Sequence, residues 1–122
     1  MIGGSPGSAA RSGVPVVVTV AGARPRSRVA LGGVVVWTGV GAGSRAPGVL
    51  RRAGLKGEGG VWFDALLCDG TGQLIVRWLG RRRVPGVEPG AGLLVEGTVS
   101  VDRGRLVVLN PRYGFGHSSV SR

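Results

Sequence analysis

Cys68-Asp-Gly-Thr-Gly-Gln-Leu-Ile-Val-Arg-Trp-Leu-Gly-Arg-Arg-Arg83 contains a tight turn, an alternating strand and a run of three arginines. Asp69-Gly70 is a hairpin signal, because the two-residue turns that match strand twist need positive φ. Leu74, Val76 and Trp78 alternate with Gln73, Ile75 and Arg77, the period of a strand with one face buried. Upstream of the turn, Val61 to Cys68 has the same period. Trp62, Asp64 and Leu66 share one side of it, and Phe63, Ala65 and Leu67 the other. The two runs form an antiparallel hairpin that ends in Arg81-Arg82-Arg83, so an all-β unit is joined to a block of positive charge.

Working outward, Gly and Pro punctuate the whole chain, and no window keeps a helical apolar period for three turns. Strand one is expected at about Val29 to Trp37, with Val29, Leu31, Gly33, Val35 and Trp37 on one side. Strands two and three are the hairpin. Strand four runs from about Leu93 to Val99 and strand five from Arg105 to Leu109, joined by a turn at Asp102 to Gly104. Thr38 to Gly60 is expected as a long Gly-rich loop carrying Arg45, Arg51, Arg52 and Lys56. A loop of this length in a small domain points to function or disorder. Gly80 to Gly92 holds Pro85 and Pro89, which leaves room for at most one helical turn. Val14 to Val20 reads either as a short extra strand or as a segment lying on the domain.

The 122 residues allow one domain. We expect a flexible segment over 1–27, with the extra strand at 14–20 as an option, a folded domain over 28–113, and a flexible tail over 114–122. Five short strands, a long basic loop after the first and a break after the third are the plan of a five-stranded Greek-key barrel.

Sixteen basic residues face six acidic ones, for a formal charge of +10. Coding bias explains the preference for Arg over Lys but not a charge this far from zero. Arginine grips phosphate with a planar fork and stacks on bases, so the balance suits a nucleic-acid partner. A single cysteine, Cys68, permits no internal disulfide, and with His117 as the only histidine no zinc site is expected. No stretch approaches the roughly 20 apolar residues of a membrane span. The short, Pro-interrupted apolar run at Val14 makes a poor export signal, so a cytoplasmic location is expected. Gly39, Gly41 and Gly43 lack the spacing and following helix of a dinucleotide fold. No nucleophile has a base within reach, so no catalysis and no cofactor are expected.

The ordered set Asp69-Gly70-Thr71-Gly72, Leu74 and Val76, Gly80-Arg81-Arg82-Arg83, Glu88-Pro89-Gly90, Val95-Glu96-Gly97 and Asn110-Pro111-Arg112-Tyr113 resembles an actinobacterial family of small OB-fold nucleic-acid-binding proteins. It is also similar to the OB-type wedge domain of fork-remodelling DNA helicases, which binds branched DNA. The resemblance covers about Arg28 to Tyr113 and implies an OB barrel. The first loop departs from it, being longer and more basic, and no helicase motor lies within these residues, so no ATP-driven activity is expected to carry over.

An OB plan carries its ligand across strands two and three, framed by the loops after strands one and four. Trp62 and Arg77 are then the outward candidates, one for base stacking and one for phosphate or base contact. For Trp62, packing into the mouth of the barrel is an equal alternative. Trp37 and Trp78 are expected in the core or at its rim. The hairpin brings Arg81, Arg82 and Arg83 to the base of the loop bearing Arg45, Arg51, Arg52 and Lys56, gathering seven positive charges at one end. Arg103 and Arg105 lie toward the opposite end of the same face. Asn110 and Tyr113 are expected to pin the end of strand five, with Arg112 as an added phosphate contact. The expected function is non-catalytic binding of single-stranded or branched DNA, with RNA close behind. The alternative is a protein-protein interaction module whose arginines grip an acidic partner.

Overall fold

A computed structural model describes residues 15–43 and 60–116. Its elements are β1 (Val16–Val17), a 3-10 turn (Val20–Gly22), β2 (Arg28–Gly43), β3 (Gly60–Cys68), β4 (Gln73–Leu79), β5 (Gly92–Asp102), β6 (Arg105–Leu109) and β7 (Arg112–Phe115). The five expected strands are β2 to β6. They hydrogen-bond in the order β2-β3-β4-β6-β5, and β5 pairs back onto β2, which closes a five-stranded ring. All contacts in the ring are antiparallel except β4 with β6.

The ring closes because each strand turns one apolar row inward. Phe63, Ala65 and Leu67 face Leu74, Val76 and Trp78 across the hairpin, and both rows are buried, as the alternation predicts. Val29, Leu31 and Val35 of β2, Leu93, Val95 and Val99 of β5, and Val108 of β6 complete the core. The segment between β4 and β5 forms turns with no helix, and its Val84 and Val87 enter the core.

Four expectations need correction. First, β2 does not end at Trp37 but continues to Gly43, pairing Gly39, Gly41 and Gly43 with Asp64, Trp62 and Gly60. The glycines looked like loop, yet the neighbouring strand supplies their hydrogen bonds. Second, a bulge between Val35 and Trp37 inserts one residue into β2. A one-residue slip moves every later side chain to the other face. Trp37 therefore leaves the core row and is 52% exposed, whereas Trp78 is in the core as expected.

Third, residues 114–116, expected in a flexible tail, belong to the folded part. Arg112–Phe115 form β7 against β5, and the Gly116 N–H donates to the Gly92 carbonyl at 3.1 Å. The Tyr113 ring meets Trp78 edge-on at 5.4 Å, which ties β7 to the core. Fourth, residues 15–27, expected in a flexible segment with a short strand at 14–20 as an option, are tied to the fold, and the short strand forms. Val16–Val17 pair in parallel with β2, and Val20 and Ala23 are buried. The Asp69 carboxylate holds this segment: it accepts from the Val20 N–H at 2.9 Å and from the Thr71 N–H and hydroxyl at 2.9 and 2.6 Å. Partial burial pushes the Asp69 carboxyl up. The Thr71 hydroxyl and the N–H groups of Val20, Thr71 and Gly72 outweigh that and hold it below its ordinary value.

Candidate functional site

The outer face of the β2-β3-β4 sheet gathers the aromatic and charged side chains that are not needed inside. Paired residues of antiparallel strands point to the same side. The register sets Trp37 opposite Leu66, Gly39 opposite Asp64 and Gly41 opposite Trp62, and in the next pairing Asp64 lies opposite Arg77. Trp37, Trp62, Asp64 and Arg77 thus share one surface. The two glycines make room on it. A Cβ on Gly39 would stand 2.4 Å from the Trp37 ring, and one on Gly41 would stand 2.2 Å from the Trp62 ring. Each indole therefore lies low over bare backbone rather than standing off the sheet.

Trp62 is half-buried and belongs to a partly buried apolar group with Leu79 and Leu109, separate from the core. Neither sequence alternative describes it fully: it lies outside the ring interior, yet its edges are packed. Trp37 is the more open of the two indoles, and sequence reasoning placed it in the core or at the rim. Its signal was hidden by the bulge, which no residue type in Val34-Val35-Val36 announces.

Arg77 lies on the expected face but is not an open cation. It is 6% exposed, with Nε and Nη2 donating to the two Asp64 carboxylate oxygens at 2.7 and 2.9 Å. Its Nη1 donates to Asp102 at 3.1 Å. Burial would lower the guanidinium pKa, but Asp64 first and Asp102 next hold it above its ordinary value, so it stays charged. Its charged carbon lies 5.7 Å from the centroid of the Trp62 ring. The residue expected to face outward for phosphate or base contact is thus buried and ion-paired. Asp64 is its cross-strand neighbour in the hairpin, whereas Asp102 lies on β5, across β6 from β4, and local sequence does not reveal it.

Arg81, Arg82 and Arg83 are exposed where β4 ends. The Gly80 N–H donates to the Val61 carbonyl at 2.8 Å, which sets the run beside the start of β3 as the hairpin argument requires. Arg45, Arg51, Arg52 and Lys56 lie outside the described residues. Arg103 and Arg105 are exposed at the β5-β6 turn, with Arg103 in the left-handed region at φ 55°. β6 runs parallel to β4, with Ile75 beside Val107 and Arg77 beside Leu109, so Arg105 lies toward the β4 end remote from Arg81. Among the described residues, the ion pairs are those of Arg28 with Glu96 and of Arg77 with Asp64 and Asp102, so none engages these exposed arginines.

Two further arginines join that second end. The Arg26 N–H donates to the Val99 carbonyl, and the Val99 N–H donates to the Ser27 carbonyl. The Arg24–Ser27 turn therefore runs along β5, a few residues before Arg103, and both Arg24 and Arg26 are exposed. The Arg-Pro-Arg-Ser-Arg composition was their signal, but their place beside β5 was not legible. Asn110 closes β6 as expected, accepting from the Leu79 N–H at 2.9 Å while its own N–H donates to the Arg77 carbonyl at 2.7 Å. Among the described residues no group of three or more His, Cys, Asp or Glu is placed to hold a metal ion, and no helix is long and apolar enough to cross a membrane.

No protein-family model matches this chain, and no curated protein matches it. Among solved structures it is similar to the OB domain of Ta0387 from Thermoplasma acidophilum, determined by solution NMR. The TM-score is 0.59 and the identity 11%, and the match covers 84% of this chain and 89% of that chain. At this identity the likeness concerns the fold alone, and it supports the OB-fold class for the closed five-stranded ring.

Proposed function

We propose that this chain binds nucleic acid without catalysis, on the outer face of β2, β3 and β4, and that single-stranded or branched DNA is its preferred ligand. One observation carries the reading. Two tryptophans lie low over glycines on a single face, and unpaired arginines lie toward both ends of it. Aromatic rings stack on any base, and arginines track the backbone, which is how OB domains hold single strands. Arg81, Arg82 and Arg83 would hold phosphates at one end, and Arg103 and Arg105, with Arg24 and Arg26, at the other. Arg45, Arg51, Arg52 and Lys56, between β2 and β3 in the sequence, would add further charge. The sequence resemblance to small actinobacterial OB proteins and to helicase wedge domains belongs to this proposal, as does a cytoplasmic location.

The test is a fluorescence-anisotropy titration of labelled single-stranded DNA, single-stranded RNA, duplex and forked DNA, each at two salt concentrations. If four or five phosphates are neutralised, the log–log salt slope for a single strand is near −3, from about 0.7 per contact. Salt-insensitive binding, or none, would refute the reading. An interaction module that binds an acidic protein partner is the second reading, with the exposed apolar side chains Val17 and Leu94 outside the proposed face supplying its salt-resistant contact. Tight association that ignores nucleic acid and persists in high salt would favour it.

A further inference from the structure

Arg77 differs from the other arginines of the face because the fold has committed each of its three nitrogens to a carboxylate. A guanidinium presents a rigid fork of donors. Here one side of the fork takes both oxygens of Asp64, and the remaining terminal nitrogen takes Asp102. The Asp64 and Asp102 side chains are only 13% and 9% exposed. One positive charge thus meets two negative ones, and a phosphate drawn toward Arg77 would approach two carboxylates whose partner is already taken. A phosphate ligand would need the reverse arrangement.

The same cluster fixes a plane. Trp62 is confined on several sides: Gly41 backbone beneath it, Leu79 and Leu109 packed in its group, and the Arg77 guanidinium near its ring. With Asp64 on β3, Arg77 on β4 and Asp102 on β5, three strands are tied at one point. Asp102 also immediately precedes the turn that carries Arg103, so the tie links the aromatic platform to the basic turn.

We propose that Arg77 is a positioning residue: Asp64 and Asp102 lock its guanidinium against Trp62, so that the indole meets a nucleic-acid base in one preset orientation while Arg77 itself touches no phosphate. This rests on the nucleic-acid reading above for its ligand. A ring ordered in advance loses little freedom on binding, which is how preorganisation raises affinity.

A double-mutant cycle tests it. Arg77→Lys keeps the charge and loses the fork. Binding of labelled oligothymidylate should weaken several-fold with an unchanged salt slope, because no phosphate contact is lost. In a Trp62→Ala background the same change should cost less than about twofold, since neighbours acting through one another are non-additive. Equal losses in the two backgrounds would overturn the proposal. So would an Arg77→Gln slope reduced by about 0.7, the signature of one lost phosphate.

A second readout needs no ligand. Asp102→Asn leaves the Asp64 fork intact and removes one charge from the cluster. In both variants, at a temperature where each is folded, the Trp62 indole N–H resonance (assigned by Trp62→Phe) should shift and broaden. An indole resonance unchanged in both variants refutes the positioning role. If the wild-type chain binds no oligonucleotide at all, the nucleic-acid reading fails, and the indole resonance still decides whether Arg77 orders Trp62.

Discussion

Replacing Gly41 by alanine should destabilise the fold, whereas the same change two residues earlier should not. A Cβ at Gly41 would stand 2.2 Å from Cε2 and Nε1 of Trp62 and 2.5 Å from Cζ2. Carbon atoms rest at about 3.5–4.0 Å, so the indole must retreat by roughly 1 Å or more. It cannot do so freely, because it is packed with Leu79 and Leu109 and lies beside the buried Arg77. Overpacking of this kind costs about 1–3 kcal/mol. The opposing gain, from a less flexible unfolded chain, is about 0.4–1 kcal/mol. The clash wins, leaving a net loss of roughly 1–2 kcal/mol, or a fall in Tm of about 5–15 °C for a domain of this size. At Gly39 the added Cβ would stand 2.4 Å from Cη2 of Trp37, an equally close approach. Trp37, however, is 52% exposed and can swing into solvent. Gly39→Ala should therefore leave Tm unchanged or raise it by a few degrees, from the same gain of about 0.4–1 kcal/mol. Calorimetry on the two variants gives the comparison, and anisotropy with a single-stranded oligonucleotide should show Gly41→Ala weaker by about tenfold, within the ~1–3 kcal/mol that stacking contributes per base. Equal melting shifts for the two variants, or a stabilised Gly41→Ala, would show that Trp62 is not held as described.

Replacing Arg81, Arg82 and Arg83 together by alanine should flatten the salt slope by up to about 2, at ~0.7 per phosphate, with normal melting because all three are exposed. Trp37→Ala should weaken single-strand binding by about tenfold, within the ~1–3 kcal/mol of a stacked base, and leave melting near normal, a combination that a core position could not show. For Asp69, the folded carboxyl titrates below its ordinary 3.8, so its stabilisation is present above that value and lost as pH falls through the folded one. Hydrogen exchange at the Val20 amide, which donates to Asp69, should therefore accelerate as pH is lowered below about 4, relative to a nearby core amide, and Asp69→Asn should remove the step.

Local chemistry determined much of this protein. Period-two alternation assigned Phe63, Ala65 and Leu67, and Leu74, Val76 and Trp78, to the interior, and Asp69-Gly70 marked the turn between them. Both signals lie within a few residues of what they decide, so they could be read from the chain alone. The position of Arg81 to Arg83 beside the start of β3 followed from the hairpin in the same way. Three features were decided only by tertiary structure. The extra residue in β2 reversed the facing of Trp37, because a bulge depends on how β2 must bend to pair with β5 before it and β3 after it. Gly39 and Gly41 became a strand beneath two indoles, because β3 supplied hydrogen bonds that their own composition gives no reason to expect. Arg77, already paired with its hairpin neighbour Asp64, became the centre of a buried ion-pair cluster because Asp102, 25 residues away, also reaches it across β6. Charge and alternation are written in the sequence. Whether an outward cation meets solvent or carboxylates depends on strands that become neighbours only when the ring closes.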